Sequence, residues 1–400
     1  MSKLFHLKGK IQNYAWGGTH FIPNLLGKEV TGEKFAEYWL GAHVNAPSVL
    51  KINEGEETLD TFLKSDLTNK LGEKIAIKFG RLPFLFKVLD VHDMLSIQVH
   101  PTKEEAEKGF KRENVMGIPL NAPNRNYKDD NHKPEIMVAL SEFWLLHGFL
   151  EKNELVGVLN SIPEFKSLLS VFKNKGYYGL YEKVMLQTDE ESENMLRPLI
   201  DRILPLYNSG KLVKSSPHYW AAKTVVSEGD VSKLDKGIYS IYFFNIVKAN
   251  KGEAVFQDAG IPHAYLEGQN MELMANSDNV LRGGLTPKHI DVEELLKHVN
   301  FEETLPNIMH GELQNDGIER IYRSPAPDFE LSQIKLDNNL QYASKSKTAE
   351  ILIVIEGDAN IIEGNTKLDL KKGDSVVLMA NSAYTIKSIS GAILYKATAP

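Results

Sequence analysis

The chain has 400 residues, of which 42% are hydrophobic and 25% charged, with a formal net charge of -7 and no cysteine. The length exceeds one ordinary core and predicts two or three domains, or one large domain with insertions. The lack of cysteine excludes disulfides, thiolate metal ligands, Fe–S clusters and a cysteine nucleophile. The acidic balance argues against nucleic-acid or membrane-surface partners, so a phosphate-bearing ligand would have to be caught by a local basic cluster.

The opening stretch "MSKLFHLKGKIQNYAWGG" lacks the unbroken apolar segment of a signal peptide. No apolar run approaches the ~20 residues that span a bilayer. A soluble, cytoplasmic, monomeric protein is expected. From 1 to 150, short apolar runs alternate with turns: "PFLFKVLDV", "MLSIQVHP", "HKPEIMVAL" and "FWLLHGFL". The last three have strand length and β-branched or aromatic content. "TKEEAEKGFKREN" reads as a charged helix, with Thr102 and Glu105 as a capping box. Across 151–225, "KNELVGVLNSIPEFKSLLSVFKN", "GLYEKVML" and "ESENMLRPLIDRILPLYN" repeat apolar residues every three or four positions, which predicts an all-helical block. Strand texture then returns with "GIYSIYFFNIVKANKGEAVFQDAGIPHAYL", followed by a short helix "DVEELLKHV" and a β-like tail. The expected layout is a catalytic β domain in two parts, 1–150 and 226–315, split by a helical domain at 151–225. A C-terminal β domain follows at 316–400.

The two β regions share a repeat. "KGEAVFQDAGIPHAY" (251–265) aligns without a gap on "KGDSVVLMANSAYTI" (372–386), matching Lys251 with Lys372, Gly252 with Gly373 and Ala259 with Ala380. His263 falls opposite Tyr384, so one copy carries a candidate ligand where the other carries none. That asymmetry predicts one working β domain and one structural one.

In "LSIQVHP", Leu95, Ile97 and Val99 alternate with Ser96, Gln98 and His100, so one face is aliphatic and the other polar. Such a face is usually just solvated. The spacing Gly252-x5-Asp258-x-Gly260-x2-His263-x3-Glu267, however, follows the second motif of cupins, with Asp258 and Glu267 replacing the usual proline and asparagine. Gln98-x-His100 stands where the first cupin motif has His-x-His, without a glutamate at the usual short interval. The spacing predicts a β-barrel metal site.

"IQNYAWGG", "LSIQVHP", "NHKPEIMVAL", "GIPHAYL" and "NSDNVLRGGLTPKHIDVEELL" occur in that order from near residue 11 to near 297. Together they resemble the type I phosphomannose isomerases of the cupin superfamily, which are zinc-dependent. The resemblance implies a mainly β fold with two cupin-like domains and a helical insertion. It also implies interconversion of mannose 6-phosphate and fructose 6-phosphate through a cis-enediolate. One Zn2+ per chain would be held by Gln98, His100, Glu135 and His263. Zinc accepts imidazole and carboxylate ligands and, in catalytic sites, keeps a position open. A set without thiolates is fairly hard, so Mn, Co and Fe stay open.

The same resemblance places Glu272, Asp278, Arg282 and Lys288 in or around the active site. Arg282 is expected to stabilise the enediolate or steer its protonation. Lys133, which shares a face with Glu135 on an extended segment, or Glu272 would carry the proton, with His132 and Asp278 assisting ring opening. For substrate binding, "RGGLTPKH" offers the amides of Gly283 and Gly284 with Lys288. Ser96 is in reach of the phosphate or a sugar hydroxyl, Trp16 fits a pocket wall, and Tyr265 joins them. His6, His20, His43, His92, His147, His218, His298 and His310 are read as structural or surface residues. A non-catalytic cupin that binds or senses sugar phosphates is the rival reading, and Lys133, Glu272 and Arg282 beside the metal set argue against it. An oxidative iron cupin would lack this basic entourage.

Overall fold

A thirteen-residue strand, His263–Ala275, organises the first half of the fold. In the computed structural model, which describes residues 2–52, 55–229, 233–338 and 340–400, it pairs antiparallel with Phe84–Val91 along one edge. Its other edge is shared by Phe143–Phe149 near its start and Glu135–Ala139 near its end. The register shifts between Tyr265 and Glu267, and Gly268, with φ +125°, follows where a Cβ would lie 2.5 Å from the Glu142 carbonyl oxygen. This bulge bends the strand so that its partners curl into a barrel. Gln98–Val99 pairs with the start of the long strand and with Leu281–Arg282.

The runs "FLFKVLDV", "EIMVA" and "FWLLHGF" are buried at every position, because both faces of the barrel wall are covered. Phe84, Phe86, Val88, Ile136 and Val138 pack with Leu331, Ile351, Ile353, Val377 and Tyr395 of the C-terminal sheet. Ile97, Val99, Leu146 and Phe149 pack instead against the helical block, with Leu155, Leu180, Leu199, Ile203 and Trp220.

That block comprises Lys152–Ser161, Lys166–Met185, Asp189–Asn208 and Pro217–Glu228. Asp189–Asn208 starts at a Thr188–Glu191 capping box and buries Leu196, Leu199, Ile200 and Ile203 on one stripe. The Thr102–Glu105 capping box is likewise formed, opening the helix Lys103–Val115.

One element differs from the sequence expectation. Gly237–Phe243 is a helix with all seven residues buried, and only Phe244–Ala249 is a strand. An apolar run buried on every side carries no period to separate helix from strand. The Asp235 carboxylate accepts the Gly237 N–H at 2.6 Å and so satisfies one free donor at the helix start.

The first strand, Leu4–Lys8, leaves the N-terminal barrel and pairs with Ser375–Leu378 of the C-terminal sheet. The repeat has the same elements in both copies: Ala254–Gln257 corresponds to Ser375–Leu378, and Gly252 and Gly373 turn with φ of 87° and 88°. The next turn uses Gly260 in one copy and left-handed Asn381 in the other.

A partly buried cluster joins the helices Lys103–Val115 and Val292–His298. The His298 ring lies between Glu105 (Nδ1 to Oε2, 3.0 Å) and Glu294 (Nε2 to Oε1, 3.5 Å), with the Tyr127 hydroxyl 2.7 Å from Nε2. Burial alone would lower the imidazole's pKa, but hydrogen bonds to Glu294 and Glu105 raise it above its ordinary value. A raised histidine contributes stability that is complete below the unfolded value of about 6.5 and is lost as pH rises through the folded value. Denaturant melts of the wild type should therefore lose stability across that window. A His298→Gln variant should be less stable at pH 6 and lack the slope.

Candidate metal centre and active site

Three side chains from distant segments meet inside the barrel. His100 ends "IQVH" just before Pro101, Glu135 opens its strand just after Pro134, and His263 opens the long strand just after Pro262. Proline, which cannot donate to a strand ladder, bounds each ligand position. His100 Nε2 lies 3.3 Å from Glu135 Oε1, and His263 Nε2 lies 3.5 Å from Oε2. The two rings sit 5.1 Å apart. Exposure is 0% for His100, 4% for Glu135 and 2% for His263.

The second nitrogen of each ring is tied to a carbonyl. His100 Nδ1 is 2.9 Å from the Asn279 oxygen, and His263 Nδ1 is 2.9 Å from the Ile261 oxygen. A carbonyl only accepts, so Nδ1 carries the hydrogen and Nε2 keeps a bare lone pair. Burial, and then Lys133, push the His100 imidazole down to about 4, so it is neutral at pH 7. Against the burial that would raise it, Lys133 holds the Glu135 carboxyl well below the usual range. Two bare nitrogens therefore face an ionised carboxylate, both buried and without hydrogen-bond partners. That arrangement fits a divalent cation. Gln98, opposite both His263 and Arg282 in the strand register, lines the adjoining cleft.

The cleft holds about 630 Å³ and is lined by Trp16, Ser96, Gln98, Lys133, Asp278, Arg282 and Lys288, with Thr224 and Ser227 from the helical block. Lys133 Nζ sits 2.9 Å from Glu135 Oε1. Among the described residues, neither Arg282 nor Lys288 has a carboxylate within 4.0 Å. Burial pushes both down from their ordinary values, and Arg282 also pushes Lys288 down. They form an electropositive end where an anion gains charge-assisted hydrogen bonds.

Other expected residues lie elsewhere. His132 is not brought to the cleft: its Nε2 is 2.8 Å from Asp328 Oδ2, on the side of the C-terminal sheet. The Tyr265 hydroxyl is buried behind the cleft, with its ring edge-on to Phe143 at 5.2 Å. Glu272 faces Lys87 (2.9 Å), which also approaches Glu37 at 3.7 Å. Burial raises the Glu272 carboxyl, with the nearby carboxylates of Glu135 and Glu37 adding to the rise. The amides expected to cradle phosphate are largely engaged. Gly283 N–H donates to the Ile97 oxygen at 2.9 Å, and Leu285 and Thr286 N–H donate to Asp235 at 2.8 and 3.1 Å.

Lys87, Glu37 and Trp39 line the cleft and escaped the sequence reading. The Trp39 indole donates to Glu37. A signal was present: a lysine in the middle of "FLFKVLDV" must be buried, and buried lysines need partners.

A cupin-type barrel with a buried His–Glu–His cluster under an electropositive cleft defines a class of metal-dependent β-barrel proteins. Residues 4–152 match the model of the type I phosphomannose isomerase catalytic domain, and residues 319–394 match that of the mannose-6-phosphate isomerase cupin domain. The chain is 38% identical over 394 residues to mannose-6-phosphate isomerase of Escherichia coli, covering 97% of each chain. It is 37% identical over 390 residues to the Salmonella typhimurium enzyme, covering 96% of each. Among solved structures, zinc-bound mannose 6-phosphate isomerase superposes with a TM-score of 0.87 at 33% identity over 100% of both chains. The Salmonella typhimurium enzyme bound to its substrate fructose 6-phosphate and zinc gives 0.87 at 34% identity, also over 100% of both. The chain belongs to the type I phosphomannose isomerase family.

Elemental analysis of the purified protein should find about one divalent metal per chain, as the one three-ligand cluster among the described residues predicts. His100→Ala should lose most of it, and a fully metallated variant would remove His100 from the ligand set.

Proposed function

We propose that the chain interconverts mannose 6-phosphate and fructose 6-phosphate, with one zinc ion held by Gln98, His100, Glu135 and His263. The observation that carries this reading is the pair of buried, unpartnered Nε2 atoms around ionised Glu135, beside a cleft that Arg282 and Lys288 line. When bound, zinc supplies a Lewis acid that polarises sugar oxygens. Support for substrate and metal comes from the relatives, one solved with fructose 6-phosphate and zinc.

The chain's own residues supply the rest. Asp278, beside the cleft, takes the anomeric hydroxyl proton and returns it to the ring oxygen as the bond between C1 and that oxygen breaks and the ring opens. Lys133 faces the cleft while Glu272 faces Lys87, which favours Lys133 as the carrier of the proton between C2 and C1. Arg282 donates to the cis-enediolate as negative charge develops. Lys288 and Ser96 engage the phosphate, and Trp16 forms a wall against the sugar. A protein that only bound sugar phosphates would need no Lys133 beside a metal ligand.

A cytoplasmic monomer fits a cysteine-free chain whose cleft is completed within one chain. No single described helix is long and apolar enough to cross a membrane.

Purified protein should form fructose 6-phosphate from mannose 6-phosphate, lose that activity on chelation and regain it with zinc. Chelator-insensitive turnover, or none, would overturn the reading. Arg282→Ala should lower kcat about 100-fold with metal retained. Lys288→Ala should raise KM about 10-fold with kcat little changed.

A further inference from the structure

We propose that His43 is a positioning residue of the active site: from a neighbouring cleft, it holds the Asp278 carboxylate so that it faces the substrate. This rests on the isomerase reading above and adds a residue to it.

Asp278 is a wall shared by two cavities. One is the substrate cleft, and the other, of about 730 Å³, lies behind it and is lined by His43, Asn45, Arg81, Lys128 and Asp129. His43 is buried at 3% exposure, although it stands in a loop, "GAHVNAP", that follows the strand Glu37–Gly41. Its Nδ1 accepts the Asn45 backbone N–H at 3.3 Å, so Nδ1 bears the lone pair and Nε2 bears the hydrogen. Nε2 donates to Asp278 Oδ1 at 3.2 Å. The Asn45 side-chain amide reaches Oδ2 at 3.5 Å. The carboxylate is thus held from behind through both oxygens.

Each partner of this contact is itself fixed. The Asp278 backbone N–H donates to Asp129 Oδ2 at 2.8 Å. The His43 ring packs edge-on to Trp39 at 4.9 Å and 73°, and Trp39 donates to Glu37, which lies beside Lys87. A histidine held in one tautomer against a carboxylate, on an indole that borders the cleft, resembles the carboxylate–imidazole pairs that orient catalytic groups. Burial would raise the Asp278 carboxyl, but the hydrogen bond from His43, with Lys133 and Lys87 acting through space, holds it below the usual range. A carboxylate kept ionised and aimed can accept a hydroxyl proton at neutral pH.

Two variants separate this role from packing. His43→Phe keeps a ring against Trp39 and removes the donor, and His43→Gln keeps a donor and removes the ring. His43→Phe should lower kcat about 10-fold with KM for mannose 6-phosphate within about twofold and metal content unchanged. The acid limb of its kcat profile should move to higher pH, and His43→Gln should recover most of the loss. A His43→Phe enzyme with wild-type kcat and acid limb would overturn the proposal. So would equal impairment of both variants with loss of metal, which assigns His43 to packing. Wild-type protein without turnover would instead defeat the isomerase reading. The Asp278 carboxyl can then be titrated directly by carbon-13 NMR, where an unchanged midpoint in His43→Phe overturns the His43 role and an upward shift supports it.

Discussion

The fold of the first barrel is arranged around one buried negative charge. An ionised carboxylate removed from water costs several kcal/mol unless it is paired and hydrogen-bonded, and Glu135 is 4% exposed. Lys133 at 2.9 Å offsets part of that cost. The two imidazoles offset none of it by themselves, because their tautomers turn lone pairs towards the carboxylate. The site is thus left short of one positive centre by the course of its backbone. The carbonyls that fix those tautomers belong to Ile261, in the turn at Gly260, and to Asn279.

Asn279 shows how far this constraint reaches. Its side chain is fully buried and accepts the N–H groups of Lys128 and Asp129 at 2.7 and 3.2 Å. It donates to the carbonyls of Asp129 and Asn131 at 2.8 and 2.9 Å. One residue therefore orients His100 through its backbone and, through its side chain, shapes the segment that leads into Lys133 and Glu135. Its neighbour Asp278 occupies the same loop, so the carboxylate proposed to accept a proton is placed by the same hydrogen-bond network that orients His100. The helical block enters in the same manner: Asp235 gathers the amides of Gly237, Leu285 and Thr286, which docks its last helix on the loop between Arg282 and Lys288.

What could be read from the sequence follows from this physics. His100 and His263 were legible in a spacing that a barrel needs, whereas Glu135 entered only through the resemblance to a known family. His132 was misplaced although the information was there. Successive residues of an extended segment face opposite sides, so a Lys133 that shares the face of Glu135 sends His132 outwards, to Asp328. Lys87 was hidden for the converse reason, since an apolar run was read only as wall. The helix at Gly237–Phe243 could not be separated from a strand, because its burial on every side removes the period. The long-range partners of Asn279 and His43 are about 150 to 240 positions away in the chain, and no local pattern announces contacts of that range.

The duplicated barrel shows why the metal is confined to one copy. Where His263 stands in the first, Tyr384 in the second donates its hydroxyl to Glu350 at 2.6 Å. Lys396, buried nearby, lies 2.6 Å from Glu319 and 2.9 Å from the Tyr342 hydroxyl. Burial raises the Glu350 carboxyl, while Glu350 and the other acidic groups hold the Lys396 ammonium up against the burial that would lower it. The second interior therefore contains its own cation on a side chain, and its acidic groups are paired without an ion from outside. In the first interior the lysine nearest the carboxylate also faces the cleft. The same barrel plan thus yields a closed polar core in one copy and a centre open to ligands in the other, according to whether a tyrosine hydroxyl or an unpartnered imidazole nitrogen faces the buried carboxylate.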